Sequence, residues 1–161
     1  MSDSPSTPDA AGAAPALATQ ATRLVARFDV TGWDPAEVPD ALSGTPADWL
    51  GIVAMRKTYT AGIVGSSVAQ FLSSGDGDSG GYLAAERITG TLGDGRSGSF
   101  TVHHGALQDP LAASAFGYII PGSGTGDFAD FSGDALIIHD DEGPHVVFDL
   151  RPGGASGDKI E

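Results

Sequence analysis

The stretch Glu86-Arg87-Ile88-Thr89-Gly90-Thr91-Leu92-Gly93-Asp94-Gly95-Arg96-Ser97-Gly98-Ser99-Phe100 decides the fold. Its centre, Asp94-Gly95, lies between two runs in which apolar and polar residues alternate. Asp-Gly flanked in this way is a strong hairpin signal, because Gly accepts positive φ at little cost. Pairing Leu92 with Arg96 across the short loop puts Ile88 opposite Phe100, Glu86 opposite Val102 and Ala84 opposite His104. A slip of one residue would turn every side chain to the other face.

Working outward, the chain's 24 glycines punctuate further β-rich runs, and no convincing helix interrupts them. Candidate strands are residues 22–32, 50–61, 66–73, 80–92, 98–108, 112–121, 134–139 and 144–150. This succession predicts an all-β domain, an antiparallel eight-stranded barrel, with a sandwich as the competing arrangement. In the first run Leu24, Ala26, Phe28 and Val30 share one face, and Arg23, Arg27, Asp29 and Thr31 share the other. Residues 1–20 are Ala-, Pro- and Ser-rich without a periodic apolar face and are expected to be a disordered tail. Residues 152–161 read as a flexible C-terminus, which leaves 21–151 as the barrel domain. Residues 33–49 carry Pro35, Pro39 and Pro46, and Pro46-Ala47-Asp48-Trp49-Leu50 could start a helical turn. This segment is either a plain surface connection or a lid.

Composition narrows the function. Eight basic against 21 acidic residues give a net charge of −13, which repels nucleic acid and anionic membrane surfaces. The same excess also serves ordinary solubility. The absence of cysteine excludes disulfides, thiolate catalysis and Cys-ligated metal centres. No stretch reads as a secretory signal or a membrane helix, so a cytoplasmic location is expected.

Polar residues on dry faces are the informative feature. Lys57 lies on the Val53-Met55-Lys57-Tyr59-Ala61 face, Glu86 between Ala84 and Ile88, and His104 between Val102 and Ala106. In the hairpin register Glu86 and His104 are diagonal neighbours, about 7–8 Å apart at the backbone. Charges inside a barrel need partners, so these three are expected to meet. A Lys–Glu pair beside a His could orient a ligand carbonyl or move a proton near neutral pH; it could equally be a satisfied buried network. His103 should point outward. His139 with Asp140, Asp141 and Glu142 resembles a metal cluster, but a solvated hairpin turn explains it better, and no metal is expected. Pro121-Gly122-Ser123-Gly124-Thr125-Gly126 lacks the Gly-Lys-Ser/Thr ending and following helix of a phosphate loop and reads as a sharp bend.

Glu86-Arg87-Ile88-Thr89-Gly90-Thr91-Leu92, Gly95-Arg96-Ser97-Gly98-Ser99-Phe100 and Pro121-Gly122-Ser123-Gly124-Thr125-Gly126-Asp127-Phe128 together resemble the DUF3224 family of small bacterial proteins of unknown function. Lys57-Thr58-Tyr59-Thr60 is similar to its second strand, and His104 to the histidine after its Gly-Ser-Phe strand. The resemblance covers about residues 22–150 and implies a barrel similar to allene oxide cyclase. Members of that superfamily bind apolar or reactive small molecules and steer cyclisation or coupling without a cofactor. Gln70 stands where the family usually has glutamate, and Gly117 where an aromatic is common.

The resulting expectation is a cofactor-independent isomerase or cyclase acting on an apolar, natural-product-type intermediate inside the barrel. Glu86 and His104 would provide proton transfer or hydrogen bonds, and Lys57 would stabilise a developing enolate or oxyanion. Tyr59, Tyr82, Phe100, Val102, Tyr118 and Gln70 would contact the ligand. The alternatives are a non-catalytic carrier or scavenger of the same kind of molecule, and a barrel filled by its own side chains. No exposed apolar stripe decides between a monomer and a homo-oligomer.

Overall fold

The computed structural model describes residues 21–42, 49–76 and 78–153. The expected tail (1–20), most of the C-terminus and most of the 46–50 turn lie outside the described residues. Nine strands follow one another: β1 (Thr22–Ala36), β2 (Gly51–Ala61), β3 (Ile63–Asp76), β4 (Ser79–Leu92), β5 (Ser97–Asp109), β6 (Ala112–Ile119), β7 (Thr125–Gly126), β8 (Gly133–Asp140) and β9 (Gly143–Leu150). The sole helix among the described residues is one 3-10 turn, Asp40–Leu42, and no described helix is long and apolar enough to cross a membrane.

All pairings are antiparallel. The sheet order β4-β3-β2-β1-β9-β8-β6-β5 closes through β4–β5 into an eight-stranded barrel, with the short β7 alongside β5. The hairpin register is the one expected: Ile88 pairs with Phe100, Glu86 with Val102 and Ala84 with His104. Leu92 N–H donates to the Arg96 carbonyl at 2.8 Å, and Gly95 takes the positive φ of 90° that the loop requires.

Closure is uneven. β1 pairs with β9 from Thr22 to Arg27 and then runs on to Ala36 against β2 alone. Among the described residues, β6 and β8 share two pairs, Tyr118–Asp134 and Ile119–Gly133. β1 to β5 therefore continue past β9, and β6 parts from β8, leaving a trough open on one side. Val30, expected on the dry face, pairs with Lys57 but lies beyond the part of β1 that β9 covers, and is half exposed. The described part of the 33–49 segment does not cap the barrel. Trp33 to Ala36 extend β1, while Leu42 and Trp49 flank Leu72, Leu83 and Leu107 on the outside.

The closed end is packed solid. Phe100 lies 5.4–5.8 Å from Phe128, Phe131 and Phe148, mostly edge to face or tilted. Each such buried ring contributes about 1.5–3 kcal/mol by leaving water. Gly62, between β2 and β3, has a φ of 77°, and a Cβ there would strike the Val25 carbonyl. Gly143 has a φ of 103° but faces open space. Gly62→Ala is expected to cost more than about 2 kcal/mol, from strain and collision together, and Gly143→Ala about 1 kcal/mol. Urea denaturation of the two variants checks the order; equal losses would show that the close approach at Gly62 is unimportant.

Candidate functional site

Four neighbouring strands each turn polar residues to the inner face at one level. β2 supplies Lys57 and Tyr59, β3 Ser67, β4 Glu86 and β5 His104. The register sets this: Lys57 pairs with Ser67, while Glu86 and His104 sit on the diagonals beside them. All five are buried, and Glu86 is 1% exposed. Glu86 Oε2 accepts from Lys57 Nζ at 2.7 Å and from His104 Nε2 at 3.1 Å. Its Oε1 accepts from Tyr59 Oη at 2.9 Å and Ser67 Oγ at 2.5 Å. Lys57 Nζ also sits 4.2 Å from the centroid of the Phe28 ring. Gly117 lets β6 pass close to β8 beside the histidine, since a Cβ there would strike the Ala135 carbonyl and lie 3.2 Å from His104 Cβ.

Burial alone would raise the pKa of Glu86 by desolvating its charged form. The hydrogen bond from His104, the charge of Lys57 and the hydrogen bonds from Lys57 and Ser67 outweigh it, holding the carboxyl at about 2. A carboxylate offers about four acceptor positions, and here four donors fill them. With its acceptor positions filled, Glu86 is placed for the hydrogen-bonding side of the role expected from sequence rather than for proton transfer with a ligand. It acts instead on His104. A carboxylate only accepts, so the hydrogen resides on Nε2, and Nδ1 faces the Tyr82 hydroxyl at 3.3 Å. Burial, then the Glu86 charge, raises the pKa of Tyr82, which keeps its proton. The chain Tyr82–His104–Glu86 runs from the trough down into the barrel.

Below this chain the interior is filled. The space bounded by Tyr59, Glu86, Ile88, Val102, His104 and Phe148 admits no water-sized sphere. The ligand expected inside the closed barrel has no room there. Space opens above, where Phe71, Ser73, Tyr82, Ala106 and Gln108 line a cavity of about 350 Å³ between the strand ends. Phe71 stacks on Tyr82 with centroids 4.5 Å apart, and Trp33 leans on Phe71 at 5.5 Å. Tyr82 meets His104 edge-on at 5.6 Å.

Of the residues singled out from sequence, Lys57, Glu86, His104 and Tyr59 come together, and Tyr82 joins them at the cavity. Phe100 belongs to the closed-end core, and Val102 lines the filled space. Tyr118 and Gln70 are corrections. Tyr118 is exposed on the outer face, its ring against His103. Gln70 is exposed on the outside, where its Nε2 donates to the Val53 carbonyl. The neighbours Gly117 and Ile119, and Ala69 and Phe71, hold the inward positions instead. Ser67, Phe71, Trp33 and Phe28 were missed; period-2 counting from Ala69 would have found Ser67 and Phe71.

Comparison with known proteins agrees with this architecture. The family model described as "Protein of unknown function (DUF3224)" matches residues 24–150. A solved structure of a DUF3224 protein of unknown function from Shewanella oneidensis MR-1 is similar, with a TM-score of 0.71 and 25% identity. The match covers 84% of this chain and 100% of that one. No curated protein matches the chain.

Glu86→Gln leaves Lys57 buried without its counter-charge and is expected to cost about 3–5 kcal/mol in urea denaturation. Because the folded pKa lies below the ordinary 4.5, the carboxylate stabilises fully above that value. The contribution, on the order of 3 kcal/mol, is lost as pH falls from about 4.5 towards 2. The variant should lack this part of the pH slope; an unchanged slope would mean that Glu86 is not held ionised.

Proposed function

The chain belongs to the DUF3224 family, and we propose that it binds an apolar, flat small molecule at the open end of its barrel. One observation carries this reading: a cavity of about 350 Å³ walled by the stacked Phe71 and Tyr82 rings, with the Tyr82 hydroxyl tied to His104. Small-ligand sites are concave, with apolar walls and a few oriented polar groups; here the Phe71 and Tyr82 rings supply the apolar wall, and Ser73, Asp76, Asp78 and Gln108 line much of the rest. An aromatic ligand would lie against the Phe71 face, and a carbonyl or hydroxyl on it would meet Tyr82.

The rim sets the charge of the ligand. The four connections at this end carry Glu37 and Asp40, Asp76 and Asp78, Asp109, and Asp140 with Asp141 and Glu142. No Lys or Arg occurs in any of them. Arg27 is held by Asp140 and Glu142, and Arg56 by Asp34. A mouth so lined disfavours anions.

A second reading, an isomerase or cyclase, is favoured by the Tyr82–His104–Glu86 chain. Glu86 fixes the ring and its tautomer, and His104 Nδ1 would accept a proton when Tyr82 turns to the ligand. Lys57 serves there as the counter-ion of Glu86.

The neutral probe 1-naphthylmethanol is expected to bind, seen by calorimetry and amide chemical shifts around Phe71 and Tyr82. The anion 1-naphthylacetate should bind at least about tenfold more weakly at low salt, a gap that narrows in high salt. Phe71→Ala should weaken both by about tenfold. Absence of binding by either probe, with nothing retained by the protein purified from its host, would sink the binding reading. If a retained molecule is converted on incubation, His104→Gln should stop conversion while leaving it bound; unchanged recovery rules out the catalytic reading.

A further inference from the structure

The outer face of β3 to β6 carries an apolar row that no single strand reveals. Leu72 pairs with Leu83, Leu83 with Gly105, and Gly105 with Phe116. Each contributes one outward residue, and the Phe116 ring lies over Gly105, where a Cβ would come within 2.8 Å of it. Val68, Leu107 and Tyr118 flank the row, and Leu83 and Phe116 are 56% and 47% exposed. Two grooves, of about 230 and 500 Å³, run along it; Leu42 and Trp49 wall the larger.

The charge pattern identifies what fits. Across the outward positions of residues 66–74, 81–89, 99–107 and 114–118 there is no acidic residue, in a chain with 21. The sole Lys or Arg there, Arg87, is turned to Thr101 Oγ1 and the Ser123 carbonyl. Two copies of a chain of net charge −13 repel wherever their carboxylates meet. On this face they meet Ser, Thr, Gln, His103 and apolar side chains instead. A basic partner would find no counter-charge here. Strands about 4.8 Å apart and rising about 3.3 Å per residue make a face on the order of 20 Å on each side. That is on the order of 400 Å², about half of the roughly 800 Å² that each partner of a standard-size complex buries, with side-chain relief and the flanking Leu42 and Trp49 adding to it, so the dimer is expected to be weak.

We infer that this face is the contact of a twofold homodimer, the Leu72-Leu83-Phe116 row of one copy lying against the same row of the other. Such an interface is self-complementary and leaves both troughs free. The Leu72-Leu83-Phe116 row lies on the outer surface and the ligand reading uses the inner one; the larger groove adjoins the cavity at Tyr82 and Ala106, and the substitutions expected to break the dimer fall on the row alone.

Sedimentation velocity of the full chain, from micromolar to 200 µM (about the upper range of weak dimers), tests it. The wild type is expected to sediment with twice the chain mass at the upper end. Leu83→Glu and Phe116→Glu should each raise the dissociation constant by more than about tenfold, since each sets two carboxylates face to face. Val25→Glu, exposed on β1 across the barrel, should leave the dimer intact. Circular dichroism shows whether each variant is folded, and the two substitutions at separate sites stand in for each other. A wild type that stays monomeric throughout overturns the inference, as does a dimer that survives both substitutions in folded protein.

Discussion

A single buried carboxylate constrains the whole sheet. Glu86 on β4 accepts hydrogen bonds from β2, β3 and β5, and each donor is itself inaccessible to water. A slip of one residue in β4 would turn Glu86 to the outer face and strand Lys57 inside without a counter-charge, the costliest kind of error in a core. Shape-filling side chains tolerate neighbours of similar volume, whereas an anion with four matched donors does not. The polar cluster thus specifies register, while the phenylalanines supply the bulk of the burial.

The two ends of the barrel divide their work along this cluster. On one side Phe100, Phe128, Phe131 and Phe148 fill the interior and leave nothing to bind. On the other, β1 runs on past β9 and β6 parts from β8 after two pairs, so their inner faces meet no opposite wall. The half-exposed Trp33 and Val30 follow from this missing wall rather than from any local preference. The trough is a consequence of strand lengths and of one parting: β1 to β5 have 11 to 15 residues and β6, β8 and β9 eight each, and β6 leaves β8 after two pairs.

Much of this was legible in the sequence, because the Asp94-Gly95 turn anchors a register from which Glu86 and His104 follow by counting in twos. Lys57 was legible as one charge on a run of apolar alternate positions. Counting failed where alternation carries no contrast. In Ala112-Ala113-Ser114-Ala115-Phe116-Gly117-Tyr118-Ile119 small residues occupy both faces, so the aromatic Tyr118 read as inward while Gly117 in fact takes that place beside His104. Gln70 was assigned by resemblance rather than by face, and its neighbours Ala69 and Phe71 point inward. The outer apolar row was invisible because it takes one residue from each strand and exists only once the strands are paired. The saturation of Glu86 was equally hidden, since it depends on Ser67 and Tyr59 reaching the same atom.

The acidic connections at the open end have an effect that reaches beyond the mouth. At the other end Arg96 answers Asp94, Arg151 answers Asp134 and Arg23 answers Asp149, which leaves Asp127 and Asp130 as a smaller acidic excess than the open end carries. Charge among the described residues is thus distributed unequally along the barrel axis, and the barrel carries an electric dipole whose negative pole is the trough. In the field of a positively charged surface the barrel turns before it touches, presenting its open end first. Orientation in such an encounter is written into the placement of the turns, with no contact required to produce it.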